Sequence, residues 1–218
     1  MEYLILSDSH FEVGTKTVKI NFYTNLISKY DNIILNGDFY EAKFIKPNTF
    51  LNSKLKPLLD ALHSKNVVYL YGNHDPEVDA KRVAEYISNE QAIYKKVEIN
   101  GQKYHIEHGN RLAPPDSDNY PDWLLRPMNF IGGMIQKFLP FVTMYMGTKW
   151  NNSVIEKRYN DGIIKQNELL ICGHTHVTVN RPEINYINSG SSMFNGGNYI
   201  VINETGYKIY PFRCLDNC

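Results

Sequence analysis

One pattern recurs along the chain and constrains its fold more than any other: a short apolar run followed at once by a cluster of Asp, Asn, His and Gly. Glu2–Leu6 runs into Asp8-Ser9-His10, and Asn32–Leu35 into Gly37-Asp38. Val67–Tyr71 runs into Gly72-Asn73-His74-Asp75, Lys103–His108 ends on His108-Gly109, and Glu168–Cys172 leads to Gly173-His174-Thr175-His176. Apolar runs of this length, bounded by turn residues, read as buried strands. Around the first three, Val18–Lys29, Leu51–His63 and Ala80–Ile87 carry apolar residues at helical spacing. Strands alternating with helices predict βαβ units and a parallel sheet. The carboxyl ends of such strands line the ligand crevice, so clusters far apart in sequence are expected to meet at one edge.

Beyond residue 90 the pattern changes. Ile93–Ile99 and Lys103–His108 flank Asn100-Gly101, a strong hairpin signal. Ile184–Ile187, Tyr199–Ile202 and Tyr207–Tyr210 read as further strands, the last two joined by the turn Asn203-Glu204-Thr205-Gly206. The sheets are therefore expected to be mixed. Residues 110–162 stand apart. They open with Pro114, Pro115, Asp116, Asp118 and Pro121, then place apolar residues three and four apart from Trp123 to Met146. That spacing predicts helices broken or kinked at Pro140. We expect one domain over 1–218 with a helical cap inserted at 111–162, packed by Trp123 and Trp150. Met128–Met146 contains Asn129, Gln136, Lys137 and Pro140. A membrane span needs about 20 predominantly apolar residues, so this is a poor one. The cap is expected instead to cover the site, lie on a membrane surface or form a homodimer contact.

Acidic and basic residues balance at 23 each, which supplies no overall basic face for nucleic acid. The three cysteines, Cys172, Cys214 and Cys218, are odd in number and do not form a disulfide framework. Cys172 lies in a strand pattern and reads as a buried free thiol. A reducing, cytoplasmic setting is expected. The start, Met-Glu-Tyr-Leu-Ile-Leu-Ser-Asp, lacks the basic end and long apolar run of a signal peptide.

The clusters supply oxygen and imidazole donors, a set that suits Mn²⁺, Zn²⁺ or Fe rather than a thiolate site. Asp-x-His and His-x-His place side chains at i and i+2, on one face of an extended backbone, where a pair can grip one ion. A lone Asp-x-His or Gly-Asp says almost nothing, and any one of these histidines alone reads as surface or core. Gly-Asn-His-Asp arises by chance about once in a thousand chains of this length or less. All five clusters in order, each after a strand, point to a metal centre. His63 and His105 fall outside the pattern and read as structural.

These motifs resemble those of the calcineurin-like metallophosphoesterases, as does Asn188-Ser189-Gly190-Ser191, similar to the turn that often follows the last histidine pair in that family. The resemblance implies an α/β fold, a two-sheet αββα sandwich, carrying two divalent metal ions, Mn²⁺ foremost with Zn²⁺ or Fe as alternatives. It assigns one ion to Asp8, His10, Asp38 and His176. It assigns the other to Asp38, Asn73, His108 and His174, with Asp38 bridging. Such a pair clamps the attacking and leaving oxygens of an in-line phosphoryl displacement. The resemblance makes His74 the general acid, and Glu41 or Asp75 is expected to orient it. Gly-Asn-His-Asp in place of Gly-Asn-His-Glu, and no Asp-Arg-Gly after Gly37-Asp38, set the chain apart from protein serine/threonine phosphatases. The insertion after His108-Gly109 and the Gly-Asp-x-x-Glu at 37–41 look like the bacterial hydrolases of UDP-2,3-diacylglucosamine. Those usually carry Arg where His74 stands and Asp where Asn110 stands. The expected substrate is a phosphodiester or pyrophosphate, with a nucleotide-linked lipid among the candidates. The alternatives are a small-molecule or cyclic-nucleotide phosphodiesterase, and a non-catalytic binding scaffold on the same fold. A scaffold is expected to lack several ligands, and here all seven are present.

Overall fold

The structure is a computed structural model that describes residues 1–112, 140–160, 165, 167–192 and 197–212. The first sheet has the order β11-β10-β1-β2-β3-β4. Its strands are β1 (Tyr3–Leu6), β2 (Asn32–Asn36), β3 (Asn66–Leu70), β4 (Glu90–Ala92), β10 (Asn198–Asn203) and β11 (Gly206–Pro211). β1 to β4 run parallel, and β10 pairs antiparallel with β1, Tyr3 opposite Ile202. The second sheet has the order β5-β6-β7-β9-β8. It is built from β5 (Tyr94–Ile99), β6 (Gln102–Glu107), β7 (Leu169–Cys172), β8 (Val179–Arg181) and β9 (Tyr186–Asn188).

Alternation along each strand sorts side chains into three layers. Leu4, Leu6, Ile33, Leu35, Val67 and Tyr69 face the helices α1 (Thr17–Ile27), α2 (Pro47–Leu51), α3 (Lys56–His63) and α4 (Glu77–Ile87). Ile5, Ile34, Val68 and Leu70 point the other way and meet Val97, Ile99, Tyr104, Ile106, Ile171 and Ile187 of the second sheet. Leu170, Cys172 and Tyr186 on the outer face of that sheet pack against Val154 of α5 (Pro140–Asn160) and against Leu112. This is the αββα sandwich. Strands β1 to β3 read as unbroken apolar runs because both of their faces are covered.

The structure departs from the sequence reading in two places. Leu51–His63 is two helices rather than one, because Pro57 sits in the first turn of α3 and cannot continue a helix from the preceding residues. β4 and β8, three residues each, had no alternating signature; backbone pairing alone defines them. The described helix runs from Pro140 to Asn160, with Pro140 at its first position, which is compatible with the break expected there. A proline ring clashes with the turn before it and leaves the next turn intact. The cap helices expected before Pro140, Trp123, the 128–139 part of the weighed membrane segment, Cys214 and Cys218 lie outside the described residues. Among the described residues no helix is long and apolar enough to cross a membrane.

Candidate metal centre

Each ligand candidate sits in the turn that leaves a strand at the shared edge of the sandwich. Those turns require unusual backbone. Asp8, His10, Asp38, His174 and His176 all have φ between 44° and 66°, and they account for five of the seven non-glycine residues with positive φ among those described. Left-handed backbone at non-glycine residues is costly, and when it clusters it marks functional sites. The glycines of the motifs let the turns close on one another. A Cβ at Gly173 would lie 2.3 Å from Asp8 Oδ2, and one at Gly37, itself at φ +76°, 2.4 Å from the His108 ring. Backbone donors then fix the carboxylates: His174 N–H donates to Asp8, and His74 N–H to Asp38 Oδ1 at 2.8 Å.

Among the described residues the donor atoms converge in three overlapping groups, each with its ligand atoms within 4.8 Å of one another: Asp8, His10 and His176; His10, Asp38 and His74; and Asp38, His108 and His174. Asp38 Oδ2 is 3.1 Å from His108 Nε2 and 3.8 Å from His10 Nε2. Asn73 Oδ1 lies 3.1 Å from His108 Nε2 and 2.8 Å from His174 Nδ1. On the other side, His176 Nε2 approaches Asp8 Oδ1 at 3.2 Å and His10 Nε2 at 3.3 Å.

Tautomers decide what this arrangement is for. His108 Nδ1–H donates to the carbonyl oxygen of Asn36 at 3.0 Å, and His10 Nδ1–H donates to Glu41 Oε1 at 2.6 Å. In the neutral imidazoles both Nε2 atoms therefore present lone pairs inward. At His108 that lone pair faces two further acceptors, Asp38 Oδ2 and Asn73 Oδ1. With His108 neutral, acceptors converging in a buried site call for a cation, and this donor set fits a divalent metal. His174 Nε2, buried without a hydrogen-bond partner, fits the same picture.

The electrostatics agree. Burial opposes the ionised forms of Asp8 and Asp38, yet the neighbouring imidazoles, His108 foremost, hold both carboxyls below their ordinary value. Burial likewise disfavours charge on His108, but Asp38 and Asp8 outweigh it and push that imidazole up to about 10. In the absence of metal the centre thus draws a proton into the place of a cation. Burial, with His108 beside it, pushes His174 down to about 3, and burial lowers His10, so both rings are neutral and have lone pairs to offer.

His74 lies at the rim, and its Nδ1–H donates to Glu41 Oε2 at 2.8 Å. Burial opposes its charge, but Asp38 and Glu41 raise it to about 9. One carboxylate thus orients both the ligand candidate His10 and the acid candidate His74. Asp75, the other carboxylate considered for that task, does something else. Its Oδ1 accepts the N–H groups of Asp38 and Gly72, and its Oδ2 that of Phe39 and the hydroxyl of Tyr69. The backbone of the Gly72–Asp75 turn aims its side chain back at the Gly37–Asp38 turn, away from the His74 ring.

Several supports lie outside the expected ligand set, Asn188 and Ser191 among them from the turn already singled out in the sequence, the others not anticipated. Trp150, read as packing for a cap, stacks on the His174 ring instead. Asn151 and Asn188 join α5 to the Gly173 carbonyl. Ser191 and Ser192 tie the Asn188–Ser191 turn to the backbone of Asp8 and Ser7. Polar residues just after a strand end were the available signal for the serines; nothing in the spacing marked Trp150 or Asn151. His105 is buried in an ion-pair cluster with Glu107 and Glu168, outside the centre.

A cluster of Asp, Asn and His side chains able to hold divalent metal thus sits at the strand ends of an αββα sandwich. The family model for calcineurin-like phosphoesterases matches residues 1–178, and the chain belongs to that family. Among solved structures, the chain is similar to wild-type Vps29 complexed with Zn²⁺ from Entamoeba histolytica. The identity is 16%, the TM-score 0.50, and the coverage 100% of this chain and 95% of that one. It is also similar to an archaeal phosphodiesterase, at 18% identity and TM-score 0.49, covering 97% of this chain and 100% of the other. Yfce, a phosphoesterase from E. coli, shows 19% identity and TM-score 0.48, with 93% and 88% covered. No curated protein sequence matches the chain.

Proposed function

We propose that this protein is a two-metal phosphoesterase that hydrolyses a phosphodiester or pyrophosphate bond. One observation carries the reading: His108 Nε2, Asp38 Oδ2 and Asn73 Oδ1 converge in the buried centre, and the same Asp38 oxygen lies near His10 Nε2. Asp8, His10, Asp38 and His176 would hold one ion, and Asp38, Asn73, His108 and His174 the other, with Mn²⁺ the first candidate. When bound, the ions supply positive charge to the phosphoryl oxygens and acidify the attacking water. The chain's own residues do the rest. Glu41 accepts from His74 Nδ1 and so presents Nε2 at the half-open rim, where it donates a proton to the leaving oxygen. The same carboxylate fixes the His10 tautomer, so that ligand and acid are oriented together. We read residues 1–218 as one domain, a reading supported by β10, which lies after the family match yet pairs with β1. A reducing, cytoplasmic setting belongs to the same reading and suits the buried Cys172, which forms no disulfide.

The test is hydrolysis of bis(p-nitrophenyl) phosphate and p-nitrophenyl phosphate by chelator-stripped protein with and without Mn²⁺. The expected result is Mn²⁺-dependent turnover that His74→Ala lowers by about 10²-fold or more. Turnover that ignores chelation, or that His74→Ala leaves intact, overturns the proposal.

A further inference from the structure

We propose that Trp150 is a positioning residue for His174, holding the plane of its imidazole at the metal centre from the adjacent helix α5. The inference rests on the metal-centre reading above and assigns a task to a residue outside the ligand set. The two rings lie stacked, with centroids 5.9 Å apart and planes at 22°. Within the cluster, His174 has one side-chain hydrogen bond, Nδ1 to Asn73 Oδ1 at 2.8 Å, and its buried Nε2 has none. One hydrogen bond leaves the ring free to tilt about that contact. The His108 ring meets it edge-on, at 74° and 5.2 Å, and the indole supplies a flat wall. A planar neighbour fixes ring orientation in a way that a round apolar side chain of similar bulk does not.

The wall cannot easily move. Gly147, Trp150, Asn151 and Val154 follow the i, i+3, i+4, i+7 spacing of one helix face, and that face lies on the loop bearing His174 and His176. A Cβ at Gly147 would come within 2.4 Å of Val177 Cγ2 and 2.6 Å of the Thr175 carbonyl oxygen, so helix and loop touch through backbone. Asn151, 2% exposed, donates to the Val177 carbonyl at 3.3 Å. Its Oδ1 accepts from Tyr186 and from Asn188 Nδ2, and Asn188 donates in turn to the Gly173 carbonyl at 2.7 Å. Val154, 1% exposed, closes the row against Leu112, Leu170, Cys172 and Tyr186. Anchored at both ends of this face, the half-buried Trp150 meets the ligand ring beside the apolar cluster rather than inside it.

The experiment compares Trp150→Phe, which stays planar, with Trp150→Leu and Trp150→Met, which stay apolar but cannot stack. Full-length protein stripped with chelator is titrated with Mn²⁺ by calorimetry. The visible spectrum of the Co²⁺-loaded protein and the thermal midpoint of the metal-free protein are recorded alongside. Trp150→Phe should bind Mn²⁺ nearly as wild type does and keep the Co²⁺ bands. Leu and Met should weaken one of the two binding events by about 10- to 100-fold and shift the Co²⁺ bands, with metal-free midpoints matching that of the Phe variant. If the Leu and Met variants bind as wild type does, or if all three weaken binding equally and in step with their midpoints, the positioning role is overturned. Wild type that binds no Mn²⁺ overturns the metal-centre reading itself, a result separable from the other two.

Discussion

Replacing Asp75 tests how the turn that carries Asp38 is held. Asp75 is fully buried, and its carboxylate gathers four donors. Oδ1 takes the N–H of Asp38 at 2.9 Å and of Gly72 at 2.8 Å; Oδ2 takes the N–H of Phe39 at 2.7 Å and the Tyr69 hydroxyl. Asp75→Ala strands three backbone N–H groups and a phenol, and a buried donor left unsatisfied costs about 1–3 kcal/mol. Water entering the vacated space recovers part of this, so we expect a loss of about 4 kcal/mol, with about 3 as the floor. Asp75→Asn keeps the Oδ1 pair and turns an NH₂ toward Phe39 N–H and Tyr69. The hydroxyl can rotate to accept, which leaves one orphaned N–H and a loss of about 1–3 kcal/mol. Urea unfolding of the metal-free proteins, followed by far-UV circular dichroism with the slope checked for constancy, reads both values without interference from metal loss. An Asp75→Ala loss below about 3 kcal/mol would show that this carboxylate does not hold the turn. So would equal losses in the two variants.

Further outcomes follow from the same contacts. Glu41→Gln leaves a single acceptor for two imidazole N–H groups, so either His10 or His74 loses its orientation. The phosphodiesterase kcat/KM should fall by about 10- to 100-fold with little change in fold, as measured on bis(p-nitrophenyl) phosphate. Lys19 donates to the Ser9 carbonyl at 2.8 Å and lies 4.8 Å above the Phe11 ring. Burial pushes its amine down from 10.5 to about 8. The native protein therefore releases this proton first, so the unfolded chain carries more protons between pH 8 and 10.5, and stability from this group rises with pH there. Relative to Lys19→Met, wild type should gain at most about 1.4 kcal/mol per pH unit across that window and nothing below pH 7. Denaturant midpoints at pH 7, 8.5 and 9.5 measure it, and a wild-type advantage that falls with pH would contradict the assignment.

The site was legible where the polypeptide makes it local. Ligand types sit directly after strands β1, β2, β3, β6 and β7, and those strands show as continuous apolar runs because both faces are buried. What escaped the sequence depends on contacts between distant segments. Glu41 reaches His10 because the Phe11–Tyr40 bridge draws the first two loops together, and no spacing announces that. Asp75 and Glu41 looked interchangeable as partners of His74; the direction of each side chain, set by its own turn, separated them. Trp150 precedes His174 by a helix end and a whole strand, so stacking between them leaves no periodic trace. β4 and β8 are too short to alternate, and Pro57 split a helix whose apolar spacing read through it.

Asp38 would serve both ions of the proposed pair, and elemental analysis of protein loaded with excess Mn²⁺ and freed of unbound ions by gel filtration, for wild type and for Asp38→Ala, tests this. Close to two ions are expected per wild-type chain and at most one in the variant, since both groups of donors lose the Asp38 carboxylate. Fewer than one ion per wild-type chain, or an unchanged count in Asp38→Ala, would contradict it.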